Sequence, residues 1–594
     1  MPRSVSTHVA PRPARPGVAR LLATATLLCA ATGIGAAHAS NMVTDWNSEF
    51  LLITQQTSGN LVAGPPEVAR EIAQLGAAMS DAVNAATGNT ISSFAYSATG
   101  GSAATTNASV AAAYAAYNAL NNIFTDQVWT QSIASLSGSG TNTSNLGLGT
   151  LVTGQLSSFL TAQLSALCSA DATGCSGTAT YSNGRAVGIA AAAAVNTSAA
   201  FSPITSGAVA SIINGLTPQT PVGSGTPGVY VPPTARPEMF PTWGGTTPTG
   251  ITSGQLASAI GSISGPPAIG SLAYATALLQ TECQGASSGF ASLSGATQAK
   301  CITAGFGQTN AQANASANAA LFWNDPGTTI QPPGHWLQIA DTAMISQNSS
   351  LLQSAQLTAL LGESMNDAGI AAWAIKYTDN LWRPITAIRN CGSGGTAAGT
   401  VTWSSDFTTC DTSWRSLIAT PPHPDYVAGH PAFSGAAATV LADFFGTDNI
   451  TFTSSSNYYC NGGAAAFDSS NLLVSCTLAG TTYMVGVAGD CAIIVNGANS
   501  NDSPLICPIT ATFTSFSAAS SGPNGSEFSR VVGGIHTSFA VEDALSVGNL
   551  IGAMLASNAG LPDVLPEPSS LSICAISLLA LTRLRRRRQV AAPI

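Results

Sequence analysis

Lysine is nearly missing from this chain of 594 residues: it has two, Lys300 and Lys376. Charge of either sign is scarce, at 8% of residues. The termini hold nine of the 18 cations but one of the 27 acids, so the stretch between them has nine cations against 26 acids, a net of −17. An acidic body without a basic stripe excludes a nucleic-acid partner and suits a soluble exported protein. There is no CxxC and no Cys/His cluster, which argues against a zinc site. Sustained period-2 alternation is absent outside 447–520, and no short-period repeat is found, which excludes a mainly β or solenoid architecture. In a chain that has almost given up lysine, Lys376, close to an Arg-Pro step, stands out.

What is present begins with targeting signals. Arg3, Arg12, Arg15 and Arg20 precede an apolar run from Leu21 to Ala37 that closes on Ala37-His38-Ala39. This pattern predicts a secretory signal peptide over 1–39, the alternative being a membrane anchor. At the other end, Pro566-Glu567-Pro568, an apolar run from Leu571 to Leu581 and Arg583 and Arg585–Arg588 resemble the PEP-CTERM sorting signal of Gram-negative bacteria. The resemblance implies a tail over 561–594 that touches the membrane transiently, an exosortase-type processing enzyme as partner, and delivery to the cell surface or beyond. A permanent anchor with positive-inside arginines is the alternative. Ten cysteines remain between the termini as near neighbours, and pairing is expected for 168 with 175, 283 with 301, 391 with 410, 460 with 476 and 491 with 507.

Helical periodicity dominates the body. Pro65-Pro66 opens a helix that Gly88 ends. Further helices are expected at 104–126, 148–168, 185–199, 269–283, 307–324, 338–347, 350–365, 367–380, 431–446 and 534–557. A loop is expected at Pro332-Pro333-Gly334-His335-Trp336. A Pro-rich connection over 203–248 divides two helical halves, about 40–202 and 250–560, within one compact domain of 40–560. The fold class is mainly α, with irregular disulfide-bearing loops and short strands within 447–525.

Three short stretches carry chemistry. In KYTDNLWRP, Lys376 and Arg383 are seven residues apart, one helix face if the helix is continuous; a solvated cationic face is the alternative. In PPHPDYVAGHPAFSG, Gly429-His430-Pro431 reads as a helix start whose free N–H groups favour an anion; His430 could also be a packing histidine. In SRVVGGIH, Gly533-Gly534 suggests a loop that turns Arg530 and His536 toward one point. Asp543, seven beyond His536, could orient the imidazole or be a surface acid.

Together, and in this order, these stretches resemble the vanadium-dependent haloperoxidases and the related type-2 phosphatidic acid phosphatase superfamily. The family pattern Lys-x6-Arg-Pro, Pro-Ser-Gly-His, Ser-Arg-x5-His reads here as Lys376 to Arg383-Pro384, Val427-Ala428-Gly429-His430 and Ser529-Arg530 to His536. Asp45-Trp46-Asn47, Asp81-Ala82-Val83-Asn84, Phe322-Trp323, Gly334-His335-Trp336 and DAGIAAW from Asp367 extend it. The resemblance implies two four-helix bundles. It implies vanadate held by Lys376, Arg383, the Gly429 N–H and Arg530, with His536 as axial ligand and His430 as acid/base. Hydrogen peroxide and halide would be the substrates and hypohalous acid the product, with an organic molecule as possible final acceptor. Two positions depart from the pattern: Ala428 replaces the motif serine and Val427 the proline. Trp373 is similar to chloroperoxidases and His423 to bromoperoxidases, and the pair points to bromide or iodide over chloride. A phosphatase on the same scaffold, with His536 as nucleophile, is the alternative activity. A non-enzymatic surface or matrix protein is the third.

Overall fold

In the computed structural model, residues 40–564 are described, apart from 59–63, 98–103, 126–145, 202–226, 232–237, 390–410, 461–464, 469–472, 479–480, 487–504 and a few single or paired positions. The predicted signal peptide and the sorting tail beyond 564 lie outside the described residues. So do the cysteine side chains of the three expected pairs between 391 and 507.

The described chain is mainly α. Its first helices are α1 (Met42–Ser58), α2 (Pro65–Thr87), α3 (Ala108–Thr125), α4 (Leu146–Ala170) and α5 (Ala179–Asn196). After the connection come α6 (Ser253–Ile260), α7 (Leu272–Gln284), α8 (Gly295–Thr303), α9 (Asn310–Phe322), α10 (Gln331–Ser346), α11 (Leu351–Asp379), α12 (Pro384–Arg389) and α13 (Gly429–Phe445). Strands β1 (Phe452–Cys460) and β5 (Leu505–Phe513) form an antiparallel ribbon, with Phe452 opposite Phe513. Between them β2 (Ala465–Asp468), β3 (Leu473–Leu478) and β4 (Thr481–Gly486) form an antiparallel meander. Helices α14 (Phe516–Ser521), α15 (Ser526–Val532) and α16 (Ser538–Asn558) complete the chain.

Alanine explains why so many helices pack so closely. It has the best helix propensity and the smallest side chain that still contributes burial. Helix α11 is the central wall: α2 packs on it from the first half, α13 and α16 from the second. At the α2–α11 crossing a Cβ on Gly76 would lie 2.5 Å from the Ala359 nitrogen, and one on Gly362 2.4 Å from the Ala73 nitrogen. The two backbones are therefore in direct contact.

Several sequence expectations change. The two helices expected at 350–365 and 367–380 are one, the 29-residue α11. It opens on a capping box of Ser350 and Gln353 and ends on Asn380, whose φ of 47° breaks the helix. The loop expected at Pro332–Trp336 is the first turn of α10, where proline loses no hydrogen bond. The last helix starts at Ser538, after His536 rather than before it. Cys283 and Cys301 form the expected disulfide. The pair expected at 168 and 175 is not bridged; the Cys175 thiol donates to the Cys168 carbonyl at 3.4 Å.

Candidate active site

The α11 C-terminus delivers Lys376 and the following loop delivers Arg383. They do not share a continuous helix face, because Asn380 ends the helix between them. They converge through the loop 423–427 instead. Lys376 Nζ donates to the Pro424 carbonyl at 2.8 Å and the Asp425 carbonyl at 3.3 Å. Arg383 Nε donates to the His423 carbonyl at 2.6 Å, and the Asp425 N–H donates to the Leu381 carbonyl at 2.9 Å. The described parts of the Pro-rich connection pack on the same corner: Tyr230 N–H donates to Asn380 and Met239 N–H to Pro422.

Arg383 is the hub. Its Nη1 donates to the Ile535 carbonyl at 2.7 Å and to His536 Nε2 at 3.0 Å, and its Nη2 to His423 Nδ1 at 2.9 Å. His536 Nδ1 in turn donates to Asp425 Oδ1 at 2.7 Å, and Thr537 Oγ1 donates to Asp425 Oδ2 at 2.9 Å. The Thr281 hydroxyl donates to the His536 carbonyl at 3.0 Å. With its Nδ1 proton held by Asp425, His536 keeps its lone pair on Nε2, the arrangement that orients a metal-binding histidine.

Arg530 reaches in from α15. Its Nη1 donates to His430 Nε2 at 3.4 Å and its Nη2 to the Ala320 carbonyl at 3.2 Å. Ser529 Oγ accepts from its Nε at 3.0 Å. His430 is the second residue of α13, partly exposed, and Gly429 is the first. Ala428 occupies the cap position and offers no side-chain acceptor. A Cβ on Gly429 would lie 3.2 Å from the Trp373 ring, so the glycine lets the helix start slide beneath the indole. Trp373 also covers His423, with ring centroids 5.2 Å apart.

Lys376, Arg383, Arg530, His423, His536 and Asp425 are all buried. Burial and then the Arg383 charge hold the Lys376 ammonium well below its ordinary range, with Asp425 pulling the other way. Burial pushes Arg530 down to about 9, still cationic at neutral pH. Burial raises Asp425 to about 6, against the pull of Arg383 and Lys376. The three histidines are pushed well below the usual imidazole range, burial first in each; Lys376 comes next for His423, Arg530 for His430 and Arg383 for His536. His430 is thus held toward its neutral form, an acceptor facing Arg530. Three buried basic side chains face two buried carboxylates, Asp425 in their midst and Asp325 acting on Arg530, so the corner keeps a surplus of basic groups that an anion would offset.

The structure brings together eight of the nine residues singled out from the sequence: Trp373, Lys376, Arg383, His423, Gly429, His430, Arg530 and His536. Asp543 is not among them. With α16 starting only at Ser538, the seven-residue spacing carries no helical phase, and Asp543 instead accepts from the Tyr426 hydroxyl at 2.6 Å. Asp425 takes the role assigned to it. A signal was present: Asp425 is the one acid in the charge-poor run PPHPDYVAGHPAFSG.

The fold is a vanadium-haloperoxidase-like helical-bundle fold. Residues 356–560 match the sequence profile of the VCPO second helical-bundle domain. Vanadium chloroperoxidase of Curvularia inaequalis is 26% identical over 136 residues, a stretch covering 21% of this chain and 22% of that protein. A bacterial vanadium-dependent iodoperoxidase superposes with a TM-score of 0.55 at 19% identity, over 88% of this chain and 98% of that one. The holo form of a bacterial vanadium-dependent chloroperoxidase does so at 0.50 and 14%, over 89% and 98%.

Proposed function

We propose that the protein is an exported vanadate-dependent haloperoxidase that uses hydrogen peroxide to oxidise bromide or iodide in preference to chloride. The observation that carries this reading is the buried surplus of positive charge at Lys376, Arg383 and Arg530, closing on a histidine whose Nδ1 is fixed by Asp425. That donor set fits a vanadate oxyanion. The three cations and the Gly429 N–H would hold its oxygens, and His536 Nε2 would ligate the metal. Vanadate, when bound, supplies the Lewis-acid centre at which hydrogen peroxide becomes an oxidant of halide.

The protein's own groups do the rest. Asp425 keeps the proton on His536 Nδ1 and so keeps Nε2 available. His430 Nε2, neutral and pointed at Arg530, would take the proton of incoming hydrogen peroxide and return it to the departing oxygen. Trp373 and His423 would form the wall the halide meets, with Arg383 holding His423 in place through Nη2. The same Asp425–His536 pair would also serve a nucleophile attacking phosphorus, which makes phosphatase activity the second reading.

The deciding experiment uses one preparation in two states. Vanadate-loaded protein is expected to halogenate monochlorodimedone with peroxide and bromide or iodide, and to do so poorly with chloride. Vanadate-free protein is expected to leave p-nitrophenyl phosphate intact. Phosphate ester turnover without vanadate-dependent halogenation would favour the second reading; a failure to bind vanadate would sink both.

A further inference from the structure

About 20 Å from Lys376, back along α11 at 1.5 Å per residue, a cavity of about 630 Å³ opens between α2, α11 and the end of α16. Ligand pockets fall in this size range. Its wall mixes apolar side chains, Ala77, Leu360, Leu555 and Phe94, with polar ones, among them Ser80, Thr90, Gln356 and Asn558. Neither lysine, arginine nor histidine lines it.

Two carboxylates flank the cavity. Asp81 accepts from the backbone N–H groups of Phe94, Ala95 and Tyr96, each at 2.7 Å. Asp367 accepts from those of Thr249, Gly250 and Ile251 at 2.7–2.9 Å. Each fixes one rim loop, and each is satisfied by doing so. Glu363 is not. It is 8% exposed, it lines the cavity, and among the described residues no hydrogen bond or ion pair reaches its carboxyl group. Burial, then Asp367 and Asp81, hold it well above the ordinary carboxylate range.

We propose that this cavity binds a small organic cation, an ammonium group on an apolar body, with Glu363 as its counter-ion. A buried unpaired carboxyl is costly in itself, and a cation among three acids removes the penalty rather than adding one. The apolar part of the wall, at Ala77, Leu360, Leu555 and Phe94, suits the body of such a ligand. A hard metal ion fits less well. Calcium takes six or more oxygens, whereas Asp81 and Asp367 have theirs committed to backbone N–H groups, and no metal-binding cluster of three acidic, histidine or cysteine side chains occurs among the described residues.

The test is isothermal titration calorimetry on the full-length protein with benzylammonium chloride, benzyl alcohol and calcium chloride as probes. Wild type is expected to bind benzylammonium saturably, one to one, and benzyl alcohol at least tenfold more weakly. Glu363→Gln, checked for folding by circular dichroism, should bind benzylammonium at least tenfold more weakly than wild type. If the variant does not fold, the comparison of ammonium with alcohol on wild type decides alone. Equal affinity for the two organic probes, undiminished binding to the variant, calcium binding in place of the amine, or no binding at all would each overturn the proposal.

Discussion

Asp425 shows how much one side chain can settle. It accepts hydrogen bonds from His536 Nδ1 at 2.7 Å and from the Thr537 hydroxyl at 2.9 Å, while its backbone N–H ties the loop to Leu381. Partners that orient a metal-binding histidine are commonly worth 10- to 100-fold in affinity. Asp425→Asn should therefore weaken vanadate binding by roughly that factor in equilibrium dialysis while leaving the circular dichroism spectrum unchanged; undiminished affinity would remove Asp425 from the site. Ala428 works in the opposite direction. It caps α13 with no hydroxyl to offer, and a hydrogen bond to a charged group contributes about 1.5–3 kcal/mol. Ala428→Ser should tighten vanadate binding at least about tenfold, since 1.4 kcal/mol is about a factor of ten. Asp425 and Asp543 also mark a limit of sequence reading. Spacing proposed Asp543 by counting along a helix that starts too late, whereas Asp425 reaches His536 across 111 residues of chain.

At the scale of elements, periodicity and end signals carried the reading well. Pro65 and Gly88 bound α2 as expected, and Gly429 heads α13. Failures came where a long-range contact replaced a local signal. Asn366 read as a gap between two helices, with Asp367 opening the second, yet Asp367 spends its carboxylate on three N–H groups of residues 249–251 and caps nothing in α11. Pro332-Pro333 read as a loop because proline is rare within helices, but at the first turn it is tolerated. The α2–α11 crossing gives this scale its test. Gly362→Ala places a methyl group against the Ala73 backbone, where neither side can yield. It should cost about 1–3 kcal/mol, as overpacking does. Gly154→Ala on the exposed face of α4 meets nothing within 4 Å and should instead stabilise by about 0.5–1 kcal/mol. Opposite shifts in thermal midpoint are expected; shifts of the same sign would contradict the backbone contact.

The whole molecule gathers charge that composition alone would not place. Lys376, Arg383, Arg530 and Asp425 lie in one buried corner drawn from three separate stretches, which is why the motifs pointed to the corner but not to its wiring. Elsewhere the chain buries acids without partners, and global stability should register them. Glu282 is the clearest case: both carboxyl oxygens are buried without a hydrogen-bond partner among the described residues. Burial, then Asp411, raise its pKa to about 7 from 4.5, against Lys300. A carboxyl raised in the folded state binds a proton there that the unfolded chain has already lost. Its favourable contribution is full below about pH 4.5 and disappears as pH rises through about 7. The span corresponds to on the order of 3 kcal/mol. Glu282→Gln removes the titration while keeping the shape. The thermal midpoint of the variant should therefore gain on wild type steadily from pH 5 to pH 8, with most of the gain complete by pH 8. A gap that stays constant across that range would mean that Glu282 stays charged in the fold, held so by Lys300.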